Sequence, residues 1–214
     1  GVIIPSEGYL KKVREICDRH DLLLILDEVQ TGTGRTGKLF AYQWEDLEPD
    51  MITFAKGIAN GFPLGGVILN EKTAAPVYAG CHGSTFGGNP VAISAAIEVI
   101  SLLSQTVLGF ISFAGEKIIE SIESLHLPQI KEIRGKGLMI GIELNPEYSA
   151  KKTSAALLKH FVISGTSGDS VIRILPPYLL REKEIKTFCE KLYEVFSTEN
   201  LIAELKTEEV KEVK

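Results

Sequence analysis

Three short stretches of the chain carry residue types that could do chemistry, and the first is LLLILDEVQTGTGRTGK, residues 22 to 38. It joins an apolar run to the acids Asp27 and Glu28 and then to a glycine-rich loop that ends at Lys38. The pattern fits three alternatives: a carboxylate at a strand end, a dinucleotide-binding glycine fingerprint and a P-loop. At most one of them can be right.

The residues after the glycines argue against both nucleotide-binding alternatives. A P-loop needs Ser or Thr after its lysine to bind Mg²⁺, but Leu39 stands there. A dinucleotide fingerprint opens a helix, whereas KLFAYQWEDLEP, residues 38 to 49, contains a proline and aromatic residues. We therefore expect a tight loop that leaves a strand end, where open α/β sheets bind ligands. Taken alone, Asp27 there fits a ligand site as well as it fits a structural role, either as a helix N-cap or in an ion pair.

The second stretch is ITFAKGIANGFPLGG, residues 52 to 66, in which Lys56 follows an apolar run and precedes small residues. Apolar surroundings favour the neutral amine of a lysine, which can act as a nucleophile and form an imine. The alternative is a lysine in a solvated loop, but the flanking residues are unusually apolar and glycine-rich for one.

The third stretch is HGSTFGGNP, residues 82 to 90, which places the hydroxyls of Ser84 and Thr85 before two glycines and a helix start. Hydroxyls and free backbone amides beside a helix N-terminus suit a phosphate group. The alternative for this stretch is plain helix capping.

The elements that must position these stretches begin with a predicted helix over residues 6 to 20. The unbroken apolar run of residues 22 to 27 is typical of a strand buried on both faces of a parallel sheet. Two more short strands are predicted at 50 to 55 and 65 to 70, each bounded by Gly, Pro, Asn or Asp. Helices alternating with strands predict an α/β fold.

The rest of the chain predicts a second lobe. Asn89 followed by Pro90 predicts the start of a long helix that runs to about Leu108. The elements predicted after it are a helix at 112 to 125, strands within 131 to 144 and 170 to 177, and a helix at 181 to 197. We accordingly expect three parts: a ligand-binding domain over 1–108, a smaller α+β domain over 109–200 and a charged tail over 201–214.

Composition narrows the classes of function. The chain has 214 residues, 44% of them hydrophobic, and a net charge of −5 without a basic stripe, so nucleic acid is not expected as a partner. Cys17, Cys81 and Cys189 are too widely spaced for a disulfide framework or a zinc site, so we expect no metal and a reducing, cytoplasmic compartment. No apolar run reaches the ~18 residues of a membrane span, and membrane association is not expected.

Together, an acid for a ring cation, a lysine for an imine and hydroxyls for a phosphate are what pyridoxal 5′-phosphate (PLP) requires. The segments DEVQTGTGRTGKLFAYQ, FAKGIANGFPLGGVIL and HGSTFGGNPVA resemble the class III aminotransferases of PLP fold type I, specifically the acetylornithine aminotransferase group. The similarity continues through IRGKGLMIGIEL and VIRILPP. It implies the downstream part of the PLP-binding large domain, with a mostly parallel sheet and flanking helices, followed by the smaller C-terminal domain.

The resemblance implies a role for each matching residue around the ring. Asp27 would pair with the pyridine nitrogen, Val29 would pack on one ring face and Gln30 would donate to the phenolic oxygen. Glu28 would lie beside them in the cofactor site. Lys56 would bind the cofactor covalently and shuttle the proton between the substrate carbon and the cofactor.

Further residues are implied at the edge of this site. Thr85 would bind the cofactor phosphate across the interface of a homodimer, and Ser84 would lie near the substrate. Arg173, in VIRILPP, matches an arginine that could meet a substrate carboxylate, with a structural ion pair as the alternative. His82 would line the entrance.

The implied reaction moves the terminal amino group of N-acetylornithine or N-succinylornithine to 2-oxoglutarate, giving a semialdehyde and glutamate, in arginine biosynthesis. Ornithine and 4-aminobutyrate remain alternative donors. The family's chains begin well upstream of Gly1, and that part would carry a phosphate cradle, a ring-stacking aromatic residue and an arginine. We therefore expect little or no catalysis from the isolated chain, and a catalytically silent fragment or dimer partner is the alternative function.

Overall fold

The computed structural model describes residues 1 to 207 and divides the chain into two compact units. The first unit is Pro5–Ile111. The second unit consists of Gly1–Ile4 together with the chain from Ser112 onwards. This division differs from the predicted one, which placed the boundary after residue 108. The units separate after Ile111, and the first four residues belong to the second unit.

The first unit is built on a three-stranded sheet in the order β1-β2-β3. β1 and β2 run parallel, with Asp27 opposite Thr53, and β3 runs antiparallel to β2. Its elements are α1 Tyr9–Arg19, β1 Ile25–Asp27, a 3₁₀ helix Ala41–Trp44, β2 Met51–Phe54, a 3₁₀ helix Lys56–Ala59, β3 Gly66–Leu69, α2 Glu71–Ala74 and α3 Pro90–Leu102.

The expectation that residues 22 to 27 are buried on both faces is wrong for this structure. Leu22, Leu23 and Ile25 are each about half exposed, and only Leu24 of the run is buried. β1 is an edge strand of the three-stranded sheet, and the exposure of these side chains shows that the described residues leave much of its surface uncovered. The apolar run therefore indicates a strand surface that is suited to burial, although the described residues leave most of it exposed.

The single helix predicted to run to Leu108 is two helices. α3 ends at Leu102, and α4, Gln105–Glu123, begins after a break that bends the chain by 76°. Ser104 caps the new helix, because its carbonyl accepts from the amide of Leu108 at 2.9 Å and its hydroxyl accepts from Val107 at 3.4 Å. A serine is a good cap and a poor helix-interior residue, which explains the break within an apolar sequence.

The second unit contains a four-stranded antiparallel sheet in the order β4-β5-β7-β6, and α5 packs against β6 and β7. Side chains alternate across β5, so Ile140 and Ile142 are fully buried while Glu143 is half-buried. The elements after α4 are β4 Ile130–Lys136, β5 Met139–Leu144, α5 Ala150–Lys159, β6 Gly165–Ser167, β7 Val171–Ile174, α6 Glu182–Ser197 and α7 Glu199–Leu205.

The predicted charged tail begins as ordered structure. Leu205, at the end of α7, is buried, and its carbonyl accepts from the amide of Ser149 at 2.8 Å. Thr207 donates to the carbonyl of Glu147 at 2.9 Å. Residues 201 to 207 thus belong to the second unit, and the rest of the predicted tail, 208 to 214, lies outside the described residues.

Within residues 1 to 207, no single helix is long and apolar enough to cross a membrane. The bent pair α3 and α4 meets the length and composition criteria only when its two helices are taken together.

Candidate active site

Asp27 ends β1 at the edge of the sheet where the parallel strand β2 also ends. Its Oδ1 accepts from the backbone amide of Val29 at 2.9 Å and from the hydroxyl of Thr53 at 3.1 Å. The side chain is exposed. Both hydrogen bonds that the described chain supplies go to Oδ1, so the carboxylate is oriented while Oδ2 can accept from an incoming group.

Glu28 turns the other way and organises the loop that follows. It is 3% exposed, and its Oε1 accepts from the backbone amide of Tyr42 at 2.9 Å while the hydroxyl of Thr31 donates to Oε2. Burial and the charge of Glu28 raise the pKa of Tyr42. Glu28 thus joins the two ends of the glycine loop, and its predicted place beside the cofactor stays a prediction.

The glycine-rich loop is a series of turns, as the sequence predicts, and no helix opens on it. Gly34 has φ +86°, a conformation that disfavours any side chain, and a Cβ there would lie 2.9 Å from Leu103 Cδ2. Gly32 leaves room for the carbonyl of Glu28, 2.7 Å from where a Cβ would lie. The glycines thus shape the loop, as the structural interpretation of the fingerprint requires.

Lys56 begins the 3₁₀ helix that follows β2, with φ +49°. A lysine in the left-handed region is uncommon, and such strain concentrates at functional sites. Ile58 and Ala59 in the same helix are buried against Ala96 of α3, which fixes the helix that carries Lys56. The predicted apolar enclosure of the amine is wrong for these residues, however, because Lys56 itself is exposed.

Ser84 and Thr85 lie exposed in the loop that leads into α3. They do not cap that helix, because the side chain of Asn89 accepts from the amide of Ala92 at 2.9 Å and Pro90 occupies the first turn. The capping alternative for this stretch therefore applies to Asn89 alone and leaves the two hydroxyls to other partners.

The structure brings most of the predicted site residues into the first unit. Asp27 of β1 pairs with Thr53 of β2, three residues before Lys56, and α3 packs on the 3₁₀ helix that begins at Lys56. Val29 and Gln30 are half-buried directly after β1, and His82 is exposed in the loop before α3. Arg173 is not among them, since it lies on β7 of the second unit, half-buried, with its guanidinium about 3.6 Å from where a Cβ on Gly165 would be.

One supporting group was missed from the sequence. Asp50, just before β2, is buried and accepts from Arg14 Nη1 at 2.6 Å, the amide of Leu24 at 2.7 Å and Asn70 Nδ2 at 3.1 Å. The Arg14 guanidinium, helped by Leu24 and Asn70, lowers the pKa of Asp50 from its ordinary 3.8 to about 2. Asp50 therefore ties α1, β1 and β3 to the start of β2. The only signal in the sequence was an acid at the start of an apolar run, which is common.

The chemistry of these groups fits part of a PLP site. An oriented carboxylate at a strand end suits a protonated ring nitrogen, and an exposed primary amine on a strained helix start suits an imine bond. Two exposed hydroxyls before a helix N-terminus suit a phosphate. Within residues 1 to 207, no group of three or more His, Cys, Asp and Glu side chains is arranged to hold a metal ion.

Comparison with known proteins gives consistent matches. The family model described as aminotransferase class-III matches residues 1 to 196. Ornithine aminotransferase 2 of Staphylococcus aureus is 41% identical over 199 residues, and acetylornithine aminotransferase of Mycobacterium leprae is 42% identical over 193 residues. These alignments cover 92% and 90% of this chain but 50% and 48% of the relatives, so the chain spans about half their length.

The fold matches as well. The crystal structure of ornithine aminotransferase from Toxoplasma gondii superposes with a TM-score of 0.84 at 29% identity, over 92% of this chain and 48% of that one. The α/β fold expected from the sequence, with the chain as a partial length of its relatives, is confirmed.

Proposed function

Because the chain belongs to the class III aminotransferases, a family that uses PLP, we propose that the whole protein is a PLP-dependent transaminase. The observation that carries the proposal is the parallel pairing of β1 and β2, which sets Asp27 and the strand leading to Lys56 at one sheet edge. Ligands of open α/β sheets bind at such an edge. Bound PLP would supply an electron sink for the negative charge that develops at the substrate carbon.

In this proposal each residue of the first unit has one task. Asp27 Oδ2 would accept a hydrogen bond from the protonated ring nitrogen while Val29 and Thr53 hold Oδ1 in place. Lys56 Nζ would hold the cofactor, and its neutral amine would carry a proton to and from the substrate carbon. Gln30 donates to the phenolic oxygen.

The remaining residues orient ring, phosphate and substrate. We assign Val29 to a face of the ring, Thr85 to the phosphate, Ser84 to the substrate and Arg173 to a substrate carboxylate, where a guanidinium fork gives two parallel hydrogen bonds. We assign Glu28 to positioning, because both of its carboxylate oxygens are already engaged with the loop.

The proposed donor is N-acetylornithine or N-succinylornithine and the acceptor is 2-oxoglutarate, in arginine biosynthesis in the cytoplasm. The names of the relatives support both acetylornithine and ornithine as donors. A homodimer with shared active sites is part of the proposal. Light scattering of the full-length protein tests it, and a monomer that is fully active would contradict it.

The central test is an absorbance titration of the 214-residue chain with PLP, run beside Lys56→Ala and, as a control, Lys72→Ala. Lys72 lies in the same unit and is exposed, with Asp21 at 3.4 Å as its ion-pair partner. We expect an imine band that survives desalting in the parent chain and in Lys72→Ala and is absent in Lys56→Ala.

Equal bands in all three proteins would show that attachment is nonspecific and would contradict the role of Lys56. The absence of any band in the chain, with a normal band in the full-length protein, would support the silent-fragment alternative for these residues alone.

A further inference from the structure

A row of four residues crosses the sheet of the second unit. Arg134 of β4 pairs with Gly141 of β5, Gly141 pairs with Arg173 of β7, and Arg173 pairs with Gly165 of β6. Residues directly opposite each other in antiparallel strands project from the same face. Two arginines therefore alternate with two glycines across one face of this sheet.

The segment Gly1–Ile4, which we call the strap, lies on this row. Arg134 Nε donates to the carbonyl of Val2 at 2.9 Å, and its Nη2 donates to the carbonyl of Gly1 at 2.8 Å. The side chain of Val2 covers Gly141, because a Cβ on that glycine would lie 3.0 Å from Val2 Cβ. The strap thus occupies the gap that Gly141 leaves between the two arginines.

Acidic side chains hold Arg134 in this orientation. Its Nη1 donates to Glu132 at 2.8 Å and to Glu143 at 2.6 Å, and the side chain is only 11% exposed. Lys131 donates to the other oxygen of Glu143 at 2.6 Å without a bond to the strap. The planar fork of an arginine can serve two carbonyls and two carboxylates at once, which a single ammonium group cannot do.

We propose that Arg134 is a positioning residue, which docks the strap on Gly141 and so builds one wall of the anion site around Arg173. Val2 would then close the side of Arg173 that faces Gly141, because cross-strand neighbours such as Gly141 and Arg173 lie only about 5 Å apart, while the Arg173 guanidinium extends over Gly165 on the other side. The inference rests on the proposed function in one respect, that Arg173 binds a substrate carboxylate. The docking of the strap is independent of it.

Thiol protection tests the docking in the 214-residue chain. Cys81 is exposed and is first replaced by Ser, while Cys17 and Cys189 are buried. Val2→Cys is then the reporter, and Ile3→Cys, at a position that is 72% exposed, is the reference. The measured quantity is the rate of reaction with 5,5′-dithiobis(2-nitrobenzoate).

We expect Val2→Cys to react more slowly than Ile3→Cys. Adding Arg134→Met should speed the Val2→Cys reaction about tenfold or more, since hydrogen bonds from a charged donor hold the strap closed. The matched control is Lys131→Met, which removes a cation from the same Glu143 and should leave the rate within about twofold. Equal rates at the two reporters, or no change with Arg134→Met, would overturn the docking.

Two further variants guard against a general loss of structure. Gly141→Ala leaves the Arg134 side chain and its carboxylate partners unchanged but places a methyl group against Val2, so it should also expose the Val2→Cys reporter. Arg134→Lys keeps the charge and should expose it too, because one ammonium cannot hold both carbonyls. Circular dichroism identifies any variant that does not fold, and the proposal then stands or falls on the others.

The wall around Arg173 is tested in the full-length protein by steady-state kinetics with 2-oxoglutarate. Arg134→Met should raise KM for this dicarboxylate about tenfold with little change in kcat, as expected when ground-state and transition-state binding are lost together. Exposure of the reporter without a change in KM would keep the docking and overturn the wall. Absence of transamination in the parent protein would contradict the proposed function and leave the thiol result standing.

Discussion

The two units bury their apolar residues to different extents. Of the twelve largest fully buried side chains among the described residues, eleven lie in the second unit and one, Ile111, lies in the first. The first unit instead leaves apolar side chains exposed on β1, β3 and α3, among them Ile25, Val67 and Ile97. The unit that carries Asp27 and Lys56 is thus the one with the less complete core.

The two units are therefore stabilised by different kinds of interaction. Burial of apolar surface stabilises the second unit, as in an ordinary domain. The first unit depends more on polar ties such as Arg14 to Asp50 and Glu28 to its loop, and on tight backbone turns. Regions with few buried apolar contacts open most readily. We therefore expect local opening to cost less free energy in the first unit than in the second.

The largest effect should come from the core of the second unit. Leu192→Ala removes a side chain that is 0% exposed and should lower the free energy of opening of that unit by about 4 kcal/mol. The matched change in the first unit, Leu22→Ala at a half-exposed position, should cost less than about 0.5 kcal/mol. Hydrogen exchange followed by mass spectrometry reports each unit separately, and comparable losses would contradict the comparison.

The next largest effect should come from the main polar tie of the first unit. Asp50→Asn leaves the Arg14 guanidinium without its buried carboxylate and should cost that unit about 3 kcal/mol. Asp21→Asn is the control, because the Asp21 carboxylate is exposed and the variant loses only an ion pair with Lys72 at 3.4 Å. Hydrogen exchange of α1 and β2 measures both, and an equal response to the two variants would exclude a special role for Asp50.

The same tie predicts a pH dependence. The pKa of Asp50 is lowered in the folded state from 3.8 to about 2, so its stabilisation is complete above pH 3.8 and disappears as the pH falls through about 2. Urea unfolding monitored by the fluorescence of Trp44, in the first unit, should show this loss of stability. In Asp50→Asn the contribution from this group should be missing, and an unchanged acid slope would assign the effect to other carboxyl groups.

A smaller effect should come from the backbone of the glycine loop. Gly34→Ala combines φ +86° with a Cβ 2.9 Å from Leu103 and should cost about 2 kcal/mol. Gly83→Ala is the control, because open space surrounds that glycine. Thermal unfolding compares the two, and a neutral Gly34→Ala would mean that the loop adjusts without cost.

The smallest effect should come from the cap of α3. Asn89→Ala removes the side chain that accepts from the amide of Ala92 and should cost about 1 kcal/mol. Ser84→Ala lies in the same loop but outside the cap, and it should change the free energy of unfolding by less than about 0.5 kcal/mol. A larger loss of stability from Ser84→Ala than from Asn89→Ala would contradict the assignment of Asn89 as the cap of α3.

Much of the fold followed from local pattern. The helix start at Asn89 and Pro90, the strand before Asp27 and the turns of the glycine loop depend on residues close together in the sequence, and the structure confirms each. The break at Ser104 was missed, because an apolar sequence on both sides hides a single capping residue. The burial of residues 22 to 27 was wrong, because burial depends on what covers a strand and not on the strand itself.

For the candidate site, the sequence by itself determined which residues are proposed to carry the chemistry, because Asp27, Lys56, Ser84 and Thr85 each lie in a short motif that is recognised from neighbouring residues alone. Only the tertiary structure decided what their neighbours do. Glu28 and Asp50 are both acids beside a strand, yet Glu28 holds a loop, whereas Asp50 joins separate elements through Arg14, Leu24 and Asn70. Such pairings join residues 14 to 36 positions apart, and only the folded chain brings these side chains within hydrogen-bond distance.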